Sequence, residues 1–261
     1  MKNIKFLCAL AFVLFITVFS LHAQNTTLEK NGIKLTAVTD SPKFPDATLD
    51  MIFPVQGEEQ LNKKDSAKVT FKYELTNFKL TDQTTDAMDK HCSNSAKGQH
   101  IHLILNNEPY LAKYETDFTM TLKEGNYVAL SFLSRSYHES LKHKRAYDLR
   151  QFYVGPANSE YQAKDLKKPL LFYSRPKADY AGDDAKKVLL DFYIVNCKLS
   201  PKGYKVRATI NGTEFILTEW EAYAIEGLPM GETTIKLELL DKNNALVASD
   251  FNSTTRKIIL K

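Results

Sequence analysis

The sequence predicts an all-β protein made of two immunoglobulin-like, Greek-key β-sandwich modules in tandem. Three observations favour this fold class. Apolar and polar residues alternate with a period of two, as in Val69, Phe71 and Tyr73. Turn signals such as Asn211-Gly212 follow these stretches at intervals of about ten residues. The second half of the chain also repeats the first, and no long segment has the 3.6-residue period of an amphipathic helix.

The chain of 261 residues begins with a segment typical of a cleaved secretory signal peptide. Lys2 and Lys5 flank the start of an apolar run at 6–21, and Ala23 supplies a small residue at the expected cleavage site. We therefore expect residues 1–23 to be a signal peptide and the mature protein to be secreted or periplasmic. The alternative is an uncleaved anchor, although this run is short of the roughly 20 residues that span a bilayer.

The mature chain is close to neutral, which bears on its partners. Removing Lys2 and Lys5 takes the formal charge from +4 to +2. Nucleic acid is not an expected partner, since neutralising phosphates needs a dense basic face. No second apolar segment is long enough to span a membrane. Cys92 and Cys197 are the cysteines left after cleavage, so no disulfide framework is expected. Composition predicts no particular oligomeric state.

An internal duplication sets the domain organisation. Four pairs of segments match in order along the chain: 52–53 with 171–172, 67–80 with 186–199, 98–107 with 203–212, and 150–154 with 256–260. The offset, which is the difference in residue number between matched positions, is 119 for the first two pairs and 105 to 106 for the last two. This drop places a 14-residue insertion near 81–97 in the first copy.

The matches predict the limits of the modules. We expect module 1 at 24–155, a polar linker at 156–167 and module 2 at 168–261. Residues 33–38 are expected to add a strand to module 1. Residues 68–75 alternate cleanly and predict a half-buried strand. Their counterparts at 188–195 are apolar on both faces, which predicts a strand covered on both sides.

Three histidines of the first copy have no counterpart in the second. His100 and His102 alternate with apolar residues along one predicted strand, so both imidazoles point to the same face. The matching positions in the second copy are Lys205 and Arg207, which favour solvent. This comparison predicts that the histidine face of module 1 is exposed.

A His-x-His pair on one strand face suits a metal ion, because neighbouring imidazoles can reach a shared centre. His138 lies in the loop after the next strand and is the expected third ligand. His91 and Cys92, in the insertion, are candidate further ligands. Imidazole suits copper or zinc, so these are the expected ions. The alternative is a solvated strand face without a ligand.

A basic loop gives a second binding hypothesis. Arg135, Lys142 and Arg145 supply cations, and Ser136 and His138 supply further hydrogen-bonding groups. Arginine combined with hydroxyl groups suits phosphate or carboxylate recognition. The alternative is a charged loop that is only solvated.

No motif for a nucleophile elbow, a P-loop, a dinucleotide site or a His-Glu-x-x-His zinc protease occurs in the sequence. We therefore expect a non-enzymatic exported binding protein. A phosphate- or carboxylate-reading module for a peptide or protein partner is one alternative. A purely structural or adhesive surface protein is another.

Three segments carry a resemblance to a known group of proteins: QHIHLILNNEPY at 99–110, SFLSRSYHES at 131–140 and LFYSRPK at 171–177. They resemble an uncharacterised exported Bacteroidota family of tandem β-sandwich proteins, whose members often carry an automatic phosphopeptide-binding label. The resemblance covers nearly the whole mature chain. It implies a bacterial, exported, two-module β protein and brings no catalytic residues with it.

Overall fold

The computed structural model describes residues 26–61, 65–90, 94–156 and 163–261. The predicted signal peptide, half of the predicted linker, and the candidate ligands His91 and Cys92 lie outside these residues. Within the described ranges the chain is nearly all β, with one short helix. No helix in these ranges is long and apolar enough to cross a membrane.

In the described ranges, ten strands precede the predicted linker. They are β1 (Thr27–Lys30), β2 (Ile33–Val38), β3 (Thr48–Phe53), β4 (Glu59–Leu61), β5 (Ser66–Thr76), β6 (His100–Leu105), β7 (Leu111–Lys113), β8 (Asp117–Lys123), β9 (Gly125–Ser134) and β10 (Tyr147–Gly155). The later elements are β11 (Leu170–Arg175), α1 (Asp183–Lys186), β12 (Lys187–Val195), β13 (Lys205–Ile210), β14 (Thr213–Leu217), β15 (Ala222–Glu226), β16 (Gly231–Leu240) and β17 (Thr254–Leu260).

The two halves fold into two sandwiches with the same strand order. In the first, the sheet β3-β5-β8 packs on the sheet β4-β10-β9-β6-β7. In the second, β11-β12-β15 packs on β14-β13-β16-β17. Matching strands occupy matching places, so β6 corresponds to β13 and β9 to β16. The predicted fold class, an all-β protein of two duplicated immunoglobulin-like modules, is confirmed.

The first strands do not belong to module 1 as the sequence predicts. β2 pairs antiparallel with β15 of the second sandwich, and β1 pairs with β2. Every second residue of β2, Ile33, Leu35 and Ala37, is buried in the module 2 core. The expectation for residues 33–38 is therefore wrong, because an apolar stripe fits either sandwich equally well. These strands widen the module 2 sheet to five.

One part of the predicted repeat alignment also changes. β5 and β12 keep the offset of 119. Their partner strands β3 and β11 correspond at an offset of 122, because Thr48 and Leu170 are the first paired residues of these two strands. The predicted match of 52–53 with 171–172 is wrong by three residues. As a result, Arg175 at the end of β11 stands where β3 has Phe53.

The two sandwiches pack face to face through a shared apolar cluster. Ile104, Leu130 and Phe132 on the outer face of the module 1 sheet contact Phe172 and Tyr193 of module 2. β12 is buried along both faces, as its sequence predicts. The same packing covers the outer face of β6, where the candidate histidines lie.

The described part of the insertion packs over the loop that follows β9. The N–H of Thr84 donates to the Ser136 hydroxyl at 3.3 Å, and the N–H of Ser136 donates to the Thr84 hydroxyl at 3.0 Å. The Tyr137 hydroxyl donates to Asp86 at 3.0 Å. The insertion thus holds the loop that carries His138.

Candidate metal centre

β6 presents two of the predicted ligands on one face. His100 lies opposite Ser134 and His102 opposite Phe132 on β9, so the register of these strands fixes both positions. Both side chains are fully buried. The prediction of an exposed histidine face is therefore wrong. Module 2 covers this face, whereas the Arg207 side chain on the equivalent β13 keeps 30% of its surface exposed.

A tight turn after β9 brings in the third ligand. Ser134 and Ser140 form a bridge that closes the turn, and the N–H of His138 donates to the Arg135 carbonyl at 3.0 Å. His138 has a φ of 68°, a left-handed conformation that is uncommon outside glycine and in which asparagine, aspartate and histidine are enriched. Asn244 occupies the equivalent turn of module 2 with a φ of 64°. This turn places the His138 ring 4.7 Å from the His100 ring, centre to centre.

The three predicted ligands converge on one point. Nε2 of His100 lies 2.9 Å from Nε2 of His102 and 3.0 Å from Nδ1 of His138. One nitrogen from each ring lies within 4.8 Å of the other two. A tetrahedral ion with metal–nitrogen bonds of about 2.1 Å separates its ligand nitrogens by roughly 3.4 Å. The cluster is therefore close to the size that an ion requires.

The backbone orients His100 for this role. Its Nδ1 lies 2.8 Å from the Gly98 carbonyl, so Nδ1–H donates there and the Nε2 lone pair faces the other imidazoles. Gly98 has a φ of 80°, and a Cβ at this position would overlap the carbonyl oxygens of Thr81 and Asp82. Glycine is therefore required at the point where the insertion meets β6.

Two tyrosines and one serine complete the surroundings. The Tyr110 ring stacks on His102 at 3.6 Å, and its hydroxyl lies 3.1 Å from Nδ1 of His138. The Tyr114 ring lies 5.0 Å from His100. Ser174 of module 2 places its hydroxyl 3.4 Å from Nδ1 of His102. Sequence reasoning missed these residues, although Tyr110 and Ser174 fall in two of the segments that carry the family resemblance.

Burial keeps the three imidazoles neutral at neutral pH. Desolvation lowers the pKa of His100 to about 4, although its bond to Gly98 acts in the opposite direction. Desolvation also lowers the pKa values of His102 and His138, with further contributions from nearby cationic groups including Arg175. Metal ions bind the deprotonated imidazole, so the site holds its ligands in the form that binds.

The predicted anion-binding residues have mostly internal partners. The buried Arg135 pairs with Glu139 at 3.0 Å and also donates to the Pro42 and Ser140 carbonyls. Lys142 lies 2.6 Å from the fully buried Asp191 of module 2. These two cations therefore neutralise carboxylates of the chain itself.

The remaining members of that set lie apart. Ser136 bonds to Thr84, and His138 belongs to the histidine cluster. Arg145 is exposed and pairs with Asp46 at 3.0 Å. A cleft of about 440 Å³ is lined by Arg135, Lys142 and Arg145, among others, but by neither Ser136 nor His138. Anion binding at this loop stays a prediction.

Comparison with known proteins finds weak structural likenesses. No family model and no curated protein matches the chain. The fibronectin(III)-like modules of Clostridium thermocellum CbhA are similar at 12% identity and a TM-score of 0.28, over 82% of this chain and 94% of that one. Bacteroides ovatus SGBP-B, solved with a mixed-linkage heptasaccharide, gives 10% identity and a TM-score of 0.24, over 82% of this chain and 47% of that one. Likenesses this weak say nothing about function.

Proposed function

We propose that this chain is an exported, non-enzymatic protein that binds one copper or zinc ion through His100, His102 and His138. Their Nε2, Nε2 and Nδ1 atoms would hold the ion, and Tyr110 and Ser174 would fix the rings. Bound metal would supply a cationic centre that joins β6 to the loop after β9, next to the surface of module 2. We propose binding without catalysis, because the sequence contains no recognisable catalytic motif.

The observation that carries the proposal is that two ring nitrogens, both hydrogen-bond acceptors, face each other. His100 donates through Nδ1 to Gly98, which leaves its Nε2 as an acceptor. The Tyr110 hydroxyl lies at hydrogen-bond distance from Nδ1 of His138, and this nitrogen is an acceptor as well when the hydroxyl donates to it. The two acceptors then face each other at 3.0 Å. A cation between them removes the repulsion of their lone pairs. A bound ion would take the lone pair that accepts the hydrogen bond from Tyr110, so the hydroxyl would have to release it.

The choice of ion follows from the ligand type. Neutral imidazoles suit both copper and zinc, and no thiolate or carboxylate joins the cluster in the described part of the chain. A three-histidine set also leaves room for an exchangeable fourth ligand, as in open zinc sites. Copper and zinc are therefore both tested.

The test is calorimetric titration of the full-length mature chain with Zn²⁺ and with Cu²⁺ after treatment with a chelator. We expect one equivalent of at least one ion to bind at micromolar affinity or tighter, which corresponds to about 8 kcal/mol. The variants His100→Asn and His138→Asn should weaken binding at least about tenfold. His138→Asn is a matched change, because Asn244 adopts the same backbone conformation in module 2.

His143→Asn is the control, since this histidine bonds to the Phe44 carbonyl outside the cluster. It should bind the ion like the unmodified chain. Circular dichroism of each variant checks that the fold is retained. Absence of binding by both ions, or equal affinity in His100→Asn and His143→Asn, would show that the three imidazoles only bond to one another.

A further inference from the structure

The end of β11 holds a buried cation, Arg175, that has no carboxylate partner in the described ranges. Its guanidinium lies 5.8 Å from the centre of the Tyr180 ring. Arg175 is 6% exposed, and its Nε has no hydrogen-bond partner in the described ranges. Asp191 lies directly opposite on β12, and its Oδ1 accepts from Lys142 and Ser140 of module 1. Its buried Oδ2 has no hydrogen-bond partner in the described ranges, and no ion pair joins it to Arg175. An unpaired guanidinium in such a place is unfavourable unless something else neutralises it.

Other buried cations of the chain do not share this property. Arg135, which is 3% exposed, makes an ion pair with Glu139 and donates to two carbonyls. Lys205, which is 7% exposed, donates to the carbonyls of Gly203 and Lys242. The fold therefore satisfies buried cations elsewhere, and the exception at Arg175 calls for a ligand.

Two more cations stand beside Arg175. Lys177 donates to the Tyr110 carbonyl at 2.8 Å, and its Nζ lies 3.8 Å from the centre of the Tyr110 ring. Arg256 of β17 donates to the Ser174 carbonyl at 3.0 Å and to the Asn107 carbonyl at 3.2 Å. We call Arg175, Lys177 and Arg256 the junction cluster, since they lie where module 2 meets module 1.

No member of the junction cluster forms an ion pair with any carboxylate in the described part of the chain. Direct ion pairs therefore do not compensate their charges, although the Glu108 carboxylate acts on Arg256 at longer range. Burial, together with Arg175 and Arg256, lowers the pKa of Lys177 to about 8. Mutual repulsion of this kind is relieved when an anion binds.

The surroundings of the junction cluster supply a further hydrogen-bond donor and a cleft that is open to solvent. The buried Tyr173 hydroxyl has no partner within the described ranges, and the Arg256 guanidinium lies 4.4 Å from the Tyr173 ring centre. An open cleft of about 410 Å³ is lined by Arg256 together with Asn107 and Glu108, but by neither Arg175 nor Lys177. A small solute can therefore reach Arg256, at one edge of the junction cluster, from solvent.

We propose that the junction cluster binds a small oxyanion, with Arg175 as its main partner. A guanidinium can donate two parallel hydrogen bonds to phosphate, sulfate or carboxylate, and this geometry makes arginine the usual residue for such ligands. This site is separate from the basic loop that contains Arg135 and Arg145. It does not require the proposed metal, although Tyr110 and Ser174 border both sites and Arg175 and Lys177 act electrostatically on the three histidines.

The test uses calorimetric titration of the chelator-treated mature chain with inorganic phosphate, sulfate and acetate in separate arms. We expect saturable binding of one equivalent of at least one of these anions. Arg175→Gln should weaken that binding at least about tenfold. The matched control is Arg145→Gln, which removes an exposed arginine and should leave the affinity unchanged.

A second measurement separates a ligand-binding role from a structural one. In anion-free buffer, Arg175→Gln should unfold at the same temperature as the unmodified chain or higher, because it removes an uncompensated buried charge. Addition of the bound anion should raise the midpoint of the unmodified chain and leave that of the variant almost unchanged. Lys177→Gln provides the same comparison with a half-buried residue.

Three results would overturn the proposal. The first is the absence of saturable binding for all three anions. The second is equal affinity in Arg175→Gln and the unmodified chain, or a loss of affinity in Arg145→Gln instead. The third is a lower midpoint for Arg175→Gln in anion-free buffer, which would indicate that Arg175 has an internal partner such as Asp191. Metal binding is measured separately, so either site can fail without the other.

Discussion

The strands β6 and β13 occupy the same place in two sheets of the same design, yet their outer faces differ in chemistry. β6 lies between β7 and β9, and β13 lies between β14 and β16. The outer face of β6 carries His100 and His102, both fully buried. The outer face of β13 carries Arg207, which pairs with Glu238 at 2.8 Å and remains partly exposed.

The chemistry that the outer face of a sheet can support therefore depends on what packs against the sheet, and not on the sheet itself. Module 2 covers β6 with Phe172, Tyr193 and adjoining residues, whereas no other part of the described chain forms such a cluster on β13. Enclosure lowers the pKa values of the histidines and keeps them in the metal-binding form. A charged pair suits the more open face of β13, where water screens it.

The largest expected effect comes from exchanging residues between the two faces. His102→Arg places an uncompensated charge at a fully buried position and should lower the free energy of unfolding by about 3–5 kcal/mol. Arg207→His removes one partner of a partly exposed pair and should lower it by about 1 kcal/mol. Urea unfolding of both variants measures the difference. Equal losses would mean that the face of β6 is open in solution.

The second expected effect is a loss of stability in acid that depends on the covered histidines. In the folded, metal-free chain burial lowers the pKa of His100 to about 4, whereas the unfolded chain titrates near its ordinary value of about 6.5. The unfolded state therefore binds more protons between these values. The stabilisation is complete above about pH 6.5 and is lost as the pH falls toward 4, by on the order of 3 kcal/mol for this residue.

Comparing the unmodified chain with His100→Asn isolates this contribution. Free energies of unfolding are measured by urea titration at intervals from pH 7.5 down to pH 4.5, in the presence of a chelator. The variant should show a shallower decline, because one proton-binding group of the unfolded chain is gone. Parallel declines in the two chains would place the His100 ring in contact with water.

Much of the fold could be predicted from local pattern and repetition. The alternation at 68–75, the apolar run at 188–195 and the constant offsets gave the strands and the two copies, because these features depend on neighbours in the chain. The pairing of β2 with β15 could not be predicted, because its apolar stripe at Ile33, Leu35 and Ala37 matches any open sheet edge. The packing of one sandwich on the other has no signature within a single repeat.

The candidate site could likewise be predicted in part. The spacing of His100 and His102 predicted that both side chains lie on one face of a strand. The position of His138 in the loop after the next strand predicted the third ligand, so the triad could be found without a structure. Exposure was inferred from Lys205 and Arg207, and that inference failed. Lys205 is itself buried, and Arg207 lies on a face with a different neighbour. Arg135 and Arg175 both follow a serine at the end of a strand, so the sequence could not show which of them has an internal carboxylate partner.

The smallest expected effect concerns the partly exposed outer face of the sheet that contains β13 and β16. Lys236 places its Nζ 2.7 Å from Glu238, and its side chain is 38% exposed. Lys236→Gln should lower the free energy of unfolding by no more than about 1 kcal/mol, because solvent screens the pair and Arg207 continues to neutralise the carboxylate. Urea unfolding should show a smaller loss still in about 1 M salt, where the screening length is short. A loss as large as that of His102→Arg, unaffected by salt, would mean that another surface, such as a second copy of the chain, covers β13 in solution.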